Sequence, residues 1–169
     1  MAFGIPIIER IDPDSEDVQA VILAPTRELA MQITDEMRQI AACHEAVRLV
    51  CLYGGQPIAK QINALKRRPQ IVVATPGRLS DHMKRRTVTL GQVQTVVLDE
   101  ADRMLDMGFI HDVTRILDKI PHRRNLGMFS ATISREVMDI SWVYQRDPDE
   151  ITVQATRENK PDILQYRIE

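Results

Sequence analysis

An acidic pair, Asp99-Glu100, directly follows the apolar run Val96-Val97-Leu98 in this sequence of 169 residues. A buried strand that carries two carboxylates to its end can hold a magnesium ion through the first acid, usually by way of water. The second acid can orient or deprotonate an attacking water, as in nucleotide hydrolysis. Adjacent buried acids are costly without a cation or hydrogen-bond donors. The alternative is that the pair caps the next helix, and the pair alone favours neither interpretation.

Short apolar runs alternate with helical patterns along most of the chain, and these elements must position the acidic pair. Most runs are apolar almost throughout, which is typical of strands buried on both faces. Between them, apolar residues such as Leu29, Ile33, Met37 and Ile40 recur at helical spacing. The sequence therefore predicts an α/β domain, a mostly parallel sheet with helices on both faces. The predicted strands are 18–24, 47–53, 71–74, 95–98, 125–130 and 150–153.

Helix starts are marked by residues suited to capping. Thr75-Pro76 combines an N-cap threonine with the proline favoured at the first helical position, and Ser134 is suited to open the last helix. Trp142 and Tyr144 lie on that last helix, where we expect core packing. In folds of this kind ligands gather at the carboxyl ends of the strands, so the residues after each strand are the functional candidates.

Composition excludes several classes of protein. The chain is 44% hydrophobic and 27% charged, as expected for a globular domain. Its longest apolar runs are far shorter than the roughly 20 residues that span a membrane, and we expect no signal peptide. Cys43 and Cys51 form no metal-binding or redox motif, so we expect free thiols in a reducing, cytoplasmic compartment.

The charge of the whole chain does not point to a nucleic-acid partner. Net charge is -2 and the pI is about 6.1, so there is no global basic field. Three basic clusters lie where we predict helix ends or the loops after them, and there cations suit the helix dipole. We therefore expect a structural role for each cluster: Lys66-Arg67-Arg68, Lys84-Arg85-Arg86 and His122-Arg123-Arg124.

Five segments, each following its own predicted strand, carry a more specific signal. They are APTRELA at 24–30, YGG at 53–55, TPGRL at 75–79, VLDEADRMLDMGF at 97–109 and SAT at 130–132. Together they resemble, in the expected order, the motifs of the DEAD-box ATP-dependent RNA helicases. The resemblance covers essentially the whole chain and implies most of the first, N-terminal RecA-like lobe of the family's two, a three-layer P-loop NTPase domain.

The resemblance implies roles for the acidic pair and its neighbours, with ATP and Mg²⁺ as the cofactors of the complete enzyme. Asp99 would hold Mg²⁺ through water, and Glu100 would act on the attacking water. Ser130 and Thr132 could hydrogen-bond the carboxylate of Asp102, a link that in the family couples nucleotide state to RNA unwinding. A plain helix-capping role for Thr132 stays open. The implied catalytic residues are Asp99, Glu100, Asp102, Ser130 and Thr132.

The resemblance also implies that three segments grip single-stranded or duplex RNA through its sugar-phosphate backbone. Threonines can cap helix N-termini, which are natural phosphate sites, and glycines let a backbone approach closely. Arginines supply charge for phosphates. The alternative is an ordinary set of strand–helix turns, with Arg27 paired to a first-turn acid. The implied RNA-binding residues are Pro25, Thr26, Arg27, Gly54, Gly55, Thr75, Pro76, Gly77 and Arg78.

A nucleotide-hydrolysing domain of this class needs a loop Gly-x-x-x-x-Gly-Lys-Ser/Thr to cradle phosphates. None of the seven glycines is followed by lysine. Ala2–Pro6 resembles the segment that directly follows this loop in DEAD-box proteins, so by resemblance the sequence begins just past the lysine. We therefore expect a partial helicase domain over 1–154 that lacks its phosphate-loop strand, then a linker over 155–169 toward a second lobe.

Two consequences follow as expectations. The chain alone should bind ATP poorly and hydrolyse it negligibly. By resemblance the phosphate-loop strand lies beside the 125–130 strand, so its loss should leave a free sheet edge that permits self-association. Two other functions remain alternatives: a non-enzymatic RNA-binding or regulatory fragment, and an unrelated flavodoxin-like binding domain, which would have no use for residues 130–132 after a strand.

Overall fold

Five strands form one sheet in the computed structural model, which describes residues 2–44 and 46–153. The predicted linker, 155–169, lies outside these residues. Neighbouring strands are parallel, and their order is β2-β3-β1-β4-β5. The predicted α/β class and the parallel sheet are confirmed. The strands are β1 Ala20–Leu23, β2 Leu49–Leu52, β3 Ile71–Ala74, β4 Thr95–Leu98 and β5 Asn125–Met128.

Helices connect the strands and cover both faces of the sheet. A short 3₁₀ turn, Ala41–Cys43, extends the longest helix. None of the helices in the described ranges is long and apolar enough to cross a bilayer. The helices are α1 Gly4–Glu9, α2 Arg27–Ile40, α3 Ile58–Leu65, α4 Pro76–Lys84, α5 Ala101–Asp106, α6 Ile110–Asp118 and α7 Arg135–Tyr144.

The core lies on both faces of the sheet, which explains the continuous apolar runs. Every residue of β1 and β3 is buried. Alternate side chains point to opposite faces. Val21 and Leu23 pack with α3 to α7, whereas Ala20 and Ile22 pack with α1 and α2. Three layers result, and each fully buried Ile, Leu or Val contributes roughly 1.5–3 kcal/mol of transfer free energy.

Capping confirms two of the predicted helix starts in atomic detail. The Thr26 hydroxyl accepts a hydrogen bond from Leu29 N at 3.3 Å, and the Ser134 hydroxyl accepts one from Val137 N at 3.3 Å. Thr75 does precede α4, but its side chain makes no capping hydrogen bond. The last of the basic clusters has the expected structural role, since the Arg123 guanidinium donates to carbonyls at the end of α6.

Two predictions about the C-terminal part are wrong. Residues 150–153 form no strand, and Ile151 is 88% exposed, because no neighbouring strand pairs with this β-branched segment. Trp142 is 72% exposed instead of packing in the core. Helix α7 buries the face that carries Val137 and Ile140, and residue 142 projects from the other side.

Candidate functional site

The sheet order separates the predicted site residues into two adjoining groups. The loops after β2, β3 and β1 are consecutive in space, and they carry the glycine, threonine and arginine segments. The acidic pair and the Ser-Ala-Thr segment follow β4 and β5, the next two strands across the sheet. Because the strands are parallel, all five segments lie at the same end of the sheet, where the carboxyl ends of the strands meet, as expected for a ligand site.

The backbone holds the acidic pair in a defined position. Asp99 N donates to Leu23 O at 2.9 Å, which fixes the end of β4 against β1. Glu100 has φ 49° and ψ 53°, a left-handed conformation that costs a residue other than glycine roughly 1–2 kcal/mol. Its carboxylate contacts the Arg103 guanidinium at 3.1 Å on the exposed side of α5. Strained residues of this kind are concentrated at functional sites.

Asp99 is a carboxylate with few partners. Burial raises the pKa of Asp99, and the neighbouring Glu100 carboxylate adds to the rise, although one backbone N–H opposes it. That N–H belongs to Glu100 and lies 3.1 Å from Asp99 Oδ1. No salt bridge of the described residues involves Asp99. An under-compensated carboxylate at a strand end suits a hard cation such as Mg²⁺, which prefers oxygen ligands.

The third acid, Asp102, joins the two strand ends. Its Oδ2 accepts from both Thr132 Oγ1, at 2.7 Å, and Thr132 N, at 2.9 Å. The Thr132 hydroxyl is the main cause of a pKa for Asp102 below the usual range, with backbone N–H groups of Arg103 and Thr132 acting in the same direction. The predicted hydrogen bond is confirmed for Thr132, and its alternative capping role is wrong because Ser134 caps α7.

The hydrogen bonds of Ser130 differ from the predicted ones. Its hydroxyl accepts from Asp102 N at 3.2 Å and donates to Thr132 O at 2.7 Å. The single hydroxyl proton therefore goes to a main-chain carbonyl, so the hydrogen bonds of Ser130 run to backbone groups. The Ser130 hydroxyl still contributes, as the least of the causes, to lowering the pKa of Asp102. Ser130 thus shapes the turn that presents Thr132.

Arg27 lies at the interface of two loops. Its guanidinium stacks over the Tyr53 ring, 5.0 Å from the centroid. Among the described residues Arg27 forms no salt bridge, so the predicted alternative of a first-turn ion pair is wrong. Gly55 has φ +85°, which favours glycine, and an added side-chain carbon there would lie 3.7 Å from Arg27 Nη1. The charge of Arg27 is thus available to an external anion.

The other two predicted glycines differ from each other. A side-chain carbon at Gly54 would have nothing within 4 Å, so this backbone is open to an approaching ligand. At Gly77 the corresponding carbon would contact Phe109 and Asp112, each at 3.8 Å. The side-chain position of Gly77 therefore faces Phe109 and α6, and an RNA contact at Gly77 stays a prediction.

Arg78 braces the loop after β2, a role that its motif did not indicate. Nη1 donates to Gln56 O at 3.0 Å and to Gln61 Oε1 at 3.2 Å. The hydrogen bonds of the described residues involve no other nitrogen of this guanidinium, so part of it remains free for a phosphate. Arg78 therefore combines a structural contact with available charge.

Sequence reasoning missed a buried network beneath this loop. Gln61 Nε2 donates to Tyr53 O at 2.9 Å, and Gln61 Oε1 lies 2.9 Å from His82 Nε2. The other ring nitrogen of His82 is 2.8 Å from Thr87 Oγ1. Burial, and next the Arg78 charge, lower the pKa of His82, so the ring is neutral at pH 7. Its Nε2–H then donates to Gln61 Oε1, which accepts because the amide nitrogen is already bonded to Tyr53 O.

Comparisons with known proteins agree with this geometry. A sequence model of the DEAD/DEAH box helicase family matches residues 1–140. The DEAD-box ATP-dependent RNA helicase CshA of Bacillus subtilis is 45% identical over 168 residues, 99% of this chain and 34% of that protein. CshA of Geobacillus kaustophilus is 46% identical over 168 residues, covering 99% of this chain and 36% of that protein.

Solved structures show the same fold. A DEAD box protein from Methanococcus jannaschii superimposes with a TM-score of 0.77 at 42% identity, covering 86% of this chain and 39% of that one. The yeast DEAD-box splicing factor Prp28 gives 0.81 at 34% identity, with 86% and 36% covered. The present chain spans about a third of the length of the curated relatives it matches.

Proposed function

Because this chain belongs to the DEAD/DEAH box helicase family, we propose that it is part of the first lobe of an ATP-dependent RNA helicase that locally separates RNA duplexes. The observation that carries the proposal is the sheet order. It sets three candidate RNA-binding loops side by side, directly next to the acidic pair and its Thr132 link. A site for nucleic acid and a site for nucleotide hydrolysis would then lie side by side at the carboxyl ends of the strands.

The RNA contacts would be made to the sugar-phosphate backbone. Thr26 and Thr75 precede helices α2 and α4, whose N-terminal amides and dipoles favour anions. Arg27 and the free part of Arg78 would add charge, and the open backbone at Gly54 would admit a close strand. Contacts of this kind position a nucleic acid but carry little sequence information. We therefore expect binding that depends on salt more than on base sequence.

The nucleotide chemistry would use the acids that follow β4, beside the candidate RNA-binding loops. Asp99 fits Mg²⁺ because it supplies a carboxylate oxygen, and a bound cation would offset the burial that raises the pKa of Asp99. When bound there with a nucleotide, Mg²⁺ would neutralise phosphate charge. Glu100, held at the start of α5, would orient the attacking water, and Asp102 would relay changes at this site to the β5 turn through Thr132. The described residues hold no cluster of three or more side chains suited to a metal, so phosphate and water would complete the coordination.

The 169-residue chain by itself should not turn over ATP, since its sequence contains no lysine-bearing phosphate loop. Two assays test the proposal together: phosphate release from ATP, with and without RNA, and fluorescence anisotropy of a labelled oligouridylate. We expect no ATP turnover, and RNA binding that weakens as salt is raised. Arg27→Ala should weaken this binding, whereas the control Arg135→Ala, at an exposed position of α7, should not. RNA-stimulated hydrolysis would contradict the first part, and RNA binding unaffected by Arg27→Ala would contradict the second.

We also propose a cytoplasmic location and self-association through β5. Cys43 and Cys51 are free thiols, as a reducing compartment allows. Among the described residues β5 pairs only with β4, the Gln145 side chain covers one carbonyl on its outer side, and exposed Phe129 directly follows the strand. Sedimentation velocity across a concentration series should show a dimer, whereas a monomer at all concentrations would contradict self-association.

A further inference from the structure

Strand β2 is the outer strand on the other side of the sheet, and no strand of the described residues pairs with its outer side. Leu52 O accepts a hydrogen bond from Thr75 N at 2.9 Å, on the side of β3. Because alternate residues of a parallel strand bond to opposite sides, Leu49 and Cys51 direct their N–H and C=O groups away from the sheet. No side chain of the described residues bonds to these four groups. By contrast, at the β5 edge the Gln145 side chain covers Leu126 O at 2.8 Å.

A groove of about 540 Å³ runs along this open edge. Helix α2 forms one wall, with Met31 and Thr34, and helix α3 forms the other, with Lys60 and Ala64. The two helices pack on opposite faces of the sheet, so both extend beyond the strand that lies between them. The groove therefore has a strand edge as its floor and a helix on each side. Its floor of four strand residues is about 13 Å long.

The charge of the groove is strongly positive, although the chain as a whole is negative. Four cations line it, and the only carboxylate among the lining residues, Asp35, is already paired with Arg38 at 2.9 Å. Lys60 and Arg67 are exposed and form no salt bridge within the described ranges. Arg48 donates only to main-chain carbonyls, so its charge is also uncompensated.

We propose that this groove docks an extended, acidic segment of a partner protein, which adds to β2 as a sixth strand. The main-chain groups of Leu49 and Cys51 would bond the segment, and the flanking cations would pair with its carboxylates. Strand addition is a recurrent mode of peptide recognition, in which backbone bonds give affinity and flanking side chains give specificity. A protein segment is favoured over RNA because the floor consists of alternating amide donors and carbonyl acceptors, which match another peptide backbone.

The inference does not depend on the proposed helicase function, and a peptide probe tests it directly. The probe is an acetylated, labelled peptide of alternating glutamate and valine, about seven residues long, which spans about 23 Å when extended. Titrated into the ¹⁵N-labelled chain, it should slow hydrogen exchange at the amides of Leu49 and Cys51. The amides of Val50 and Leu52, already bonded within the sheet, should change little. Equal effects on all four amides, or none, would overturn the proposal.

Two peptide variants and two protein variants separate strand addition from simple charge attraction. N-methylation of alternate peptide residues should abolish binding in one register, by at least roughly tenfold, and spare it in the other. Lys60→Glu with Arg67→Glu should weaken binding by a similar factor. The matched control, Lys84→Glu with Lys119→Glu, changes net charge equally at exposed sites outside the groove and should bind as the parent does.

Two results would refute the assignment. If both N-methylated peptides bind as the parent peptide does, the groove attracts acids without adding a strand, and its cations serve only to protect an exposed edge. If oligouridylate displaces the peptide and loses affinity in the Lys60→Glu, Arg67→Glu chain, the groove belongs to a nucleic-acid path. Circular dichroism melts of each variant ensure that loss of binding reflects the groove and not unfolding.

Discussion

Replacing Gln61 with alanine should destabilise the domain more than any other polar substitution near the candidate RNA-binding loops. The side chain is 1% exposed and contacts three partners: Tyr53 O at 2.9 Å, His82 Nε2 at 2.9 Å and Arg78 Nη1 at 3.2 Å. Alanine would leave these groups without their amide partner in a region closed to water. Each buried group left unpaired costs about 1–3 kcal/mol, and Arg78 keeps its bond to Gln56 O.

Counting the Tyr53 carbonyl and the His82 ring as the two main losses, we expect Gln61→Ala to lower the free energy of unfolding by about 2–6 kcal/mol. This is a large part of the 5–15 kcal/mol typical of a domain. Urea denaturation followed by circular dichroism measures it as a lower midpoint at an unchanged slope.

The matched control is Gln56→Ala in the same loop. The Gln56 side chain makes one long contact, 3.4 Å to Tyr53 Oη, so its removal should cost less than about 0.5 kcal/mol. If the two variants unfold at the same urea concentration, or if Gln61→Ala matches the parent chain, the buried network does not stabilise the loop and the reasoning is refuted.

Three further substitutions probe separate contacts. Thr132→Val removes the 2.7 Å bond to the Asp102 carboxylate, so the pKa of Asp102 should rise toward its ordinary value in a carboxyl-carbon NMR titration; an unchanged pKa would contradict this. Ser134→Ala removes the α7 cap and should cost about 1 kcal/mol in the same urea assay; an unchanged midpoint would contradict this. Burial lowers the pKa of His82 in the folded chain, so below about pH 6.5 the unfolded chain binds a proton that the folded chain does not. Stability should therefore fall as the pH drops from about 7 to 5, and the fall should be smaller in His82→Gln; equal slopes would refute the assignment.

Much of the fold could be predicted from the sequence because its central strands are buried on both faces. Runs such as Ile71–Ala74 carry only apolar residues, and this pattern located five strands. The same reasoning failed at 150–153, since β-branched residues favour a strand only where a neighbour is present to pair with. It also failed at Trp142, because residue type predicts burial only on average and the orientation of α7 decides the outcome.

The candidate site could be predicted in its motifs but not in its supporting contacts. Asp102 and Thr132 were paired correctly, since the ends of neighbouring strands meet. Gln61 and His82 gave no signal, because they lie 21 residues apart and their pairing depends on how α3 and α4 pack. The outcome at Gly77 likewise depends on its position against α6, which no local pattern specifies.

The most direct test of the proposed RNA-binding loops is an NMR titration of the ¹⁵N-labelled chain with a single-stranded oligouridylate of about ten nucleotides. If the loops after β1, β2 and β3 grip the backbone, the largest shifts should fall on the amides of Thr26, Gly54, Gly55 and Thr75, and should weaken as salt is raised. Shifts confined to the basic clusters 66–68 and 84–86, with the strand-end loops unmoved, would contradict it.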